Sequence, residues 1–495
     1  KEDEFSQLII SSYLEGKDLD FNGNYAIIIK TKNSIVLSVD KVRSIPLFYY
    51  VIENKISVTN NARLLPDIRN NKDIDELAKL EILYAGYVTG SETLYPEIKQ
   101  LLPGEIINFN LVESKLQKKS HRYFEYLPEI NNYKLENDLI DIGNIAIKNS
   151  IKRLIKSTKN RTLVVPLSGG LDSRLIVSEL KKQNYTNVIC YSYGKIGNSE
   201  SKISESIAKK LGYKWIFIPY TRNLWEKLSK SNEYKKYFLF SDNFSSVPHI
   251  QDFPAVMFLK NEKHIPEDSV FVPGHTGDFI SGGHIPLFIQ SNFNDINLFE
   301  FIISKYFRIH DFEKLNIREK KLIINKVKST FSNLNITDSD KASEMIEYYD
   351  WQERQSKHIL NSLRVYEYFD YEWRIPLWDD ENIAFWKSVP YKYKLGKVLF
   401  KKILSNNDSL KVFTHLKNTS IITTSSQKPN NFLKYLNRRQ KFMLKVFKKQ
   451  FYEYYNHPMQ WYGMFNVLKV IFKWKFQNIY TFLNIDYIKS FKKDI

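Results

Sequence analysis

The sequence predicts an α/β protein in three parts: a β-rich stretch over residues 1–125, a parallel-sheet domain over 135–410, and a basic, mostly helical tail over 411–495. Three observations predict it. Runs of β-branched residues separated by turn formers fill the first stretch. From residue 135 strand and helix patterns alternate as β-α-β-α-β, which calls for a parallel sheet with right-handed crossovers. Cations and aromatics then concentrate toward the C-terminal end.

The elements follow in order. Tyr-Ala-Ile-Ile-Ile-Lys-Thr at 25–31 and Asn-Ser-Ile-Val-Leu-Ser-Val at 33–39 read as strands, and Gly-Glu-Ile-Ile-Asn-Phe-Asn at 104–110 adds another after the turn Pro103-Gly104. Helical patterns at 3–15 and 75–85 flank them. The next part reads helix 135–157, strand 162–167, helix 173–183, strand 187–193, helix 199–211 and strand 214–219. Residues 221–264 and 291–365 read as largely helical, with one strand at 269–272 between them feeding a second glycine-rich turn. A Ser, Thr, Asn and Pro-rich stretch at 419–431 reads as a linker into the tail.

A chain of 495 residues, 43% hydrophobic and 26% charged, has the composition of two or three globular domains. Its single cysteine, Cys190, excludes an internal disulfide and any Cys-cluster metal site, and its apolar surroundings predict a buried thiol. No run of about 18 apolar residues predicts a spanning helix, and no signal-peptide pattern is visible. The first residue is Lys1 in helix-like sequence, so a start upstream is expected. Of the net charge of +18, most sits in residues 411–495, which hold 16 Lys and Arg against Glu453, Asp486 and Asp494.

The most chemically specific stretch is Ser-Gly-Gly-Leu-Asp-Ser at 168–173, between an apolar strand and a helix. Gly169 and Gly170 allow a tight turn that brings backbone N–H groups to an anion, and the following helix adds the positive end of its dipole. Ser168 and Ser173 can donate hydroxyl hydrogen bonds, and Asp172 can hold Mg²⁺ against a pyrophosphate. No Gly-Lys-Ser/Thr follows, so this is not a Walker loop. The pattern suits a site that grips pyrophosphate and leaves an α-phosphate open to attack.

With three further stretches this loop resembles the asparagine synthetase (glutamine-hydrolysing) family. Pro273-Gly274-His275-Thr276-Gly277-Asp278-Phe279-Ile280-Ser281-Gly282-Gly283-His284 is similar to that family's second glycine turn. Glu372-Trp373-Arg374-Ile375-Pro376-Leu377-Trp378-Asp379 resembles its Glu-x-Arg-x-Pro segment, and residues 393–404 resemble its lysine-bearing helix. Near the start, Gly23-Asn24-Tyr25-Ala26 and the stretch from Asp40 to Tyr49 resemble the later part of its glutaminase domain. The likeness runs over residues 5–405 in consistent order.

The resemblance implies an incomplete Ntn-type α+β sandwich over 1–125, followed by an ATP-pyrophosphatase domain of the adenine nucleotide α-hydrolase type over 135–410. It implies ATP and Mg²⁺ as cofactors and a reaction in which ATP adenylates a carboxylate, pyrophosphate leaves, and ammonia or an amine attacks. Asp172 and Asp278 would bind the metal, and His275, Asp278 and Lys401 would be catalytic. Leu167, Ser168, Gly169, Gly170, Asp172, Ser173, Ser192 and Gly274 would bind ATP. Glu372 and Arg374 are expected to form an internal ion pair. His249, His264, His284, His310 and His358 lack metal-ligand spacing and read as surface or core residues.

Two departures matter. The family's glutaminase nucleophile is an N-terminal cysteine, which is absent, so residues 1–125 as they stand are expected to be a truncated scaffold that does not hydrolyse glutamine; either a longer chain carries the cysteine and draws ammonia from glutamine, or free ammonia or an amine is used. His275 replaces an acid, and a neutral imidazole can serve as a base but does not bind an ammonium as a carboxylate does. Arg43 also stands where the family usually has glycine. An amide-closing cyclase of the β-lactam synthetase or lasso-peptide type, and a non-catalytic scaffold, are the alternative readings.

Residues 432–451 and 464–491 mix apolar residues at near-helical spacing with lysines. Such a tail either packs on its own domain with lysines outward, the favoured reading, or rests on an anionic membrane. The expected location is the cytoplasm, with contact to the cytoplasmic membrane face as the option the tail leaves open. The expected partners are a small-molecule carboxylate and an ammonia or amine donor, with no nucleic acid. A homodimer stays open, as does a surface-polysaccharide precursor as the molecule modified.

Overall fold

The structure, a computed structural model, describes residues 2–65, 74–113, 115–129, 135–290, 298–331, 338–413, 451–472 and 479–491. The first part starts with helix α1 (Glu2–Leu14) and strands β1 (Ala26–Lys30), β2 (Ser34–Val39), β3 (Phe48–Ile52) and β4 (Lys55–Thr59). Helix α2 (Glu76–Ala85), β5 (Ile98–Gln100), β6 (Glu105–Val112) and β7 (Lys115–Arg122) complete it. Antiparallel pairing gives a four-stranded sheet in the order β1-β2-β6-β7 and a three-stranded sheet β4-β3-β5. Leu37, Val39, Tyr49, Ile107 and Phe109 from both sheets share one core, so the two layers form a small sandwich.

Sequence reading finds β1, β2 and β6 but not the β3–β4 hairpin, β5 or β7. β7 reads Lys-Leu-Gln-Lys-Lys-Ser-His-Arg and is exposed along most of its length. As an edge strand it needs no apolar face, and its cations discourage further pairing.

The second part is doubly wound. Helix α3 (Glu136–Thr158) leads into β8 (Leu163–Pro166), α4 (Leu171–Lys182), β9 (Val188–Gly194), α5 (Ser199–Leu211) and β10 (Lys214–Pro219). Two short strands, β11 (Val270–Phe271) and β12 (Glu372–Trp373), extend the sheet to the order β10-β9-β8-β11-β12. Every pairing in this sheet is parallel. The expected α/β class and parallel sheet are therefore present. Buried Leu163, Val164, Val165, Cys190 and Val270 show why its strands read as continuous apolar runs. The parallel order places the β8–α4 turn and the turn after β11 side by side at the strands' carboxyl ends, where ligands bind in such sheets.

The helix Ser339–Tyr349 continues as wide π-type turns over Asp350–Ile359. This segment joins the two parts. Lys357 and Glu353 form an ion pair at 2.5 Å with neither side chain exposed, and they bond Gly90 O and Gly90 N of the first part. Arg43 sits at φ 54°, in the left-handed region that favours glycine. Its guanidinium donates to Gln100 Oε1 and to Ser356 O, so here the arginine bridges the two parts.

The linker reading at 419–431 and the amphipathic stretch at 432–450 lie outside the described residues. What is described of the tail lies against the body. Trp225 Nε1 donates to Met459 O at 2.7 Å, Lys195 N to Pro458 O at 2.6 Å, and Asn484 Nδ2 to Ile82 O at 2.6 Å. These residues follow the packed alternative. Among the described residues no helix is long and apolar enough to cross a membrane.

Candidate active site

A cleft of about 450 Å³ opens at the carboxyl ends of β8, β9 and β11. Its floor is the 168–173 loop. Ser168 N donates to Ser173 Oγ at 3.2 Å, and Gly170 N donates to Ser168 Oγ at 3.1 Å, which closes the turn. Gly170 is the N-cap of α4 and provides no side-chain cap. The first N–H groups of this 12-residue helix are thus left for an anion.

The second loop packs onto the first through missing side chains. A Cβ on Gly274 would come within 2.8 Å of Ser173 N, and one on Gly277 within 2.6 Å of Asp172 Cγ. Glycine is needed at both positions for the two loops to touch, and the contact brings Asp172 and Asp278 to one wall of the cleft.

The two aspartates differ in their surroundings. Asp172 makes no ion pair, and its Oδ1 is sealed from solvent without a hydrogen-bond partner. Burial pushes its carboxyl up to about 6, opposed by Lys397 and reinforced by Asp278. Asp278 is half exposed and forms an ion pair with Lys397, while His284 Nε2 lies 3.3 Å from its Oδ2. An under-satisfied carboxylate beside a second one suits a hard divalent cation that takes its remaining ligands from phosphates and water. Among the described residues no group of three or more His, Cys, Asp or Glu is arranged to hold a metal by itself. Asp172 and Asp278 thus fit Mg²⁺ arriving with a nucleotide.

Behind Asp278 runs a polar chain that sequence reading missed. His284 Nδ1 is 3.4 Å from Asp350 Oδ2, which accepts from the Tyr306 hydroxyl at 2.5 Å, and Asp350 Oδ1 accepts from Gln355 Nε2 at 2.6 Å. Burial lowers the His284 pKa, while the positive groups around fully buried Asp350 hold its carboxyl down against its own desolvation. His249 and His284 both line the cleft, which corrects their reading as surface or core residues. His284 closes the second glycine turn, whereas His249 and Arg354 come from stretches without a motif, and the fold brings the three together.

His275 also lines the cleft. Ser362 Oγ donates to Ile359 O at 2.7 Å, so it accepts from His275 Nε2 at 2.7 Å. That leaves His275 Nδ1 bare, buried and without a partner. Burial lowers the imidazole to about 4, so it is neutral at pH 7.

The structure brings together Ser168, Gly170, Asp172, Ser173, Gly274, His275 and Asp278 as cleft-lining residues. Four expected residues stand apart. Leu167 is buried, and its N–H is taken by Tyr191 O at 2.8 Å. Gly169 O accepts from Arg174. Ser192 turns toward α5, where Ser204 Oγ donates to it at 3.1 Å. Lys401 is exposed on the helix Val398–Asn406, away from the cleft. The lysine that meets Asp278 is Lys397, and this corrects the choice of Lys401. Gly396 and Lys397 both have positive φ, 62° and 60°, so Lys397 sits in the turn before the helix, not on the helix face that carries Lys401. The Glu372–Arg374 pair forms at 2.8 Å and Arg161 adds a second bond to Glu372 at 2.6 Å, a structural arrangement on β12.

This geometry defines a doubly wound α/β domain, with an anion-ready helix start at its cleft, joined to an antiparallel sandwich. Residues 10–124 match the glutamine amidotransferase domain and residues 146–234 the asparagine synthase domain. A Methanocaldococcus jannaschii protein bearing the name of a glutamine-hydrolysing asparagine synthetase is 22% identical over 431 residues, covering 85% of this chain and 66% of its own length. The chain thus spans a little under two thirds of that relative. A stretch matching a glutamine amidotransferase domain is thus followed by one matching an asparagine synthase domain, and these matches support a likeness to the asparagine synthetase family.

Proposed function

We propose that this cleft carries out ATP-dependent amide formation through an acyl-adenylate. The observation that carries the reading is the meeting of Asp172, Asp278 and Lys397 at the uncapped start of α4. A pyrophosphate group suits that place: backbone N–H groups, two hydroxyls and a lysine face it, and the aspartates can share Mg²⁺ with it. A carboxylate oxygen of the acceptor attacks the α-phosphorus and the bond to the β-phosphate oxygen breaks, so pyrophosphate leaves. Ammonia or an amine then attacks the acyl carbon, AMP leaves, and the nitrogen gives up a proton. The bare Nδ1 of His275 is placed to accept a hydrogen bond from the incoming nitrogen or the acid.

Cys190 is fully buried in the sheet, and burial pushes its thiol up to about 12, which removes it as a nucleophile for glutamine. In our reading the nitrogen reaches the cleft as ammonia or an amine. The test is exchange of labelled pyrophosphate into ATP, run with Mg²⁺ and a broad panel of carboxylic acids. Exchange that depends on an acid and disappears in Asp172→Ala and Asp278→Ala is expected. A protein that binds no ATP, or exchanges with no acid at all, is not an amide-forming ligase.

A further inference from the structure

We infer that the acceptor acid carries no ammonium group, and that the cleft holds a hydroxyl-bearing carboxylic acid through Arg354, His249 and His275. This rests on the amide-forming reading above and deepens it.

The first argument is an account of negative charge. An α-amino acid needs a carboxylate to receive its ammonium once both are out of water, because an unpaired buried charge is costly. Among the described residues four aspartates lie in or behind the cleft, and no glutamate lines it. Asp278 pairs with Lys397 and His284 and, in the amide-forming reading, shares the nucleotide's cation with Asp172. Asp350 is wholly buried and takes Tyr306 and Gln355. Asp252 accepts the hydroxyls of Tyr191 and Tyr366 on Oδ2, at 3.0 and 2.7 Å, and burial pushes its carboxyl up, against the charged form an ammonium needs. Asp172 is left, and it belongs to the cation of the nucleotide. No carboxylate is left over for an ammonium.

Among the described residues Arg354, which lines the cleft from the π-type segment, makes no hydrogen bond or ion pair, although its charge acts on Asp350. A partly buried guanidinium with an unused fork of donors fits a ligand carboxylate. Opposite it, His249 Nε2 and His275 Nδ1 are buried ring nitrogens without partners. Burial keeps both rings neutral, lowering them to about 3 and about 4. Two neutral imidazole nitrogens beside the Gln251 amide and the Tyr193 hydroxyl form a wall that hydrogen-bonds hydroxyls and carries no negative charge to pair with an ammonium. A site built this way rejects an ammonium by leaving it unpaired.

The test uses the full chain and acids that differ at one group: aspartate, malate and succinate, with glucuronate, galacturonate, glutamate and β-alanine alongside. ATP binding is measured first by calorimetry. Pyrophosphate exchange should appear with hydroxy acids and sugar acids at rates at least about tenfold above their amino counterparts, a difference of about 1.4 kcal/mol in transition-state binding. In Arg354→Gln the KM for the active acid should rise at least about tenfold while the KM for ATP stays within about twofold, as for loss of one charge-assisted contact. Arg354→Lys should recover part of that loss. Exchange as fast with aspartate as with malate, or an acid KM unmoved in Arg354→Gln, overturns this inference and leaves amide formation standing. ATP binding with no exchange for any acid overturns both.

Discussion

Replacing Lys397 and, separately, Lys401 with methionine tests the site's central assignment, because the two lysines lie one turn apart and only Lys397 pairs with a cleft-lining carboxylate, Asp278. Lys397 is largely buried and pairs with the half-exposed carboxylate of Asp278. An ion pair with one exposed partner adds little to folding, so Lys397→Met should melt close to the parent protein. Its effect on the reaction is larger. The ammonium faces the place assigned to the departing pyrophosphate, and removal of one such preorganised donor costs about 10²–10³-fold, or about 2.7–4 kcal/mol. A second loss comes from Asp172, whose carboxyl stands at about 6 with Lys397 holding it down. Without that cation it moves up toward neutrality. The metal-binding form is the ionised one, so the acid limb of the pH profile should shift upward and activity should partly recover at pH 8.5. Lys401 is exposed, and Lys401→Met should stay within about twofold of the parent, as surface substitutions do. The assay is pyrophosphate exchange at pH 7 and 8.5. Full activity in Lys397→Met, or a collapse in Lys401→Met, would refute the argument.

Three other substitutions follow from the same structure. Asp172 is costly to the fold because its ionised form is disfavoured by burial, so Asp172→Asn should raise the melting temperature at pH 7 while abolishing exchange; the gain should vanish near pH 4, where the parent carboxyl is itself neutral. Gly277→Ala places a methyl against Asp172 and should weaken ATP binding at least about tenfold in calorimetry, with far-UV circular dichroism unchanged. Glu353→Ala leaves the Lys357 ammonium buried with backbone carbonyls but without its carboxylate, and should cost about 3–5 kcal/mol in denaturant unfolding.

The contrast between the two lysines also shows what a sequence can reveal. Both occur in Lys-Val-Leu-Phe-Lys, and helical spacing places them on one face if the helix is assumed to begin early. It begins at Val398, after two left-handed residues, and that backbone reversal aims Lys397 at the glycine loops. The parallel sheet was legible because buried strands and amphipathic crossover helices leave distinct periodicities. The two glycine loops were legible because close backbone approach restricts the residue types allowed. β7 was not, since an exposed edge strand is selected by what it avoids. The acceptor wall was not either: His249, His284, Asp350 and Arg354 lie in three separate stretches, and their nearness is a property of the π-type turns and of the sheet order, not of local pattern.

The hydroxyl of Tyr480 lies 3.4 Å from His249 Nδ1, and its ring rests 5.7 Å from that of His358. The far end of the described tail is therefore the backing of the cleft's histidine wall. A ribosome making this chain completes both glycine loops some 200 residues before it reaches that tyrosine. A nascent or prematurely terminated polypeptide would hold the nucleotide cradle without the finished surface that selects the acid. The tail thus ties the finished histidine wall to synthesis of the chain through residue 480.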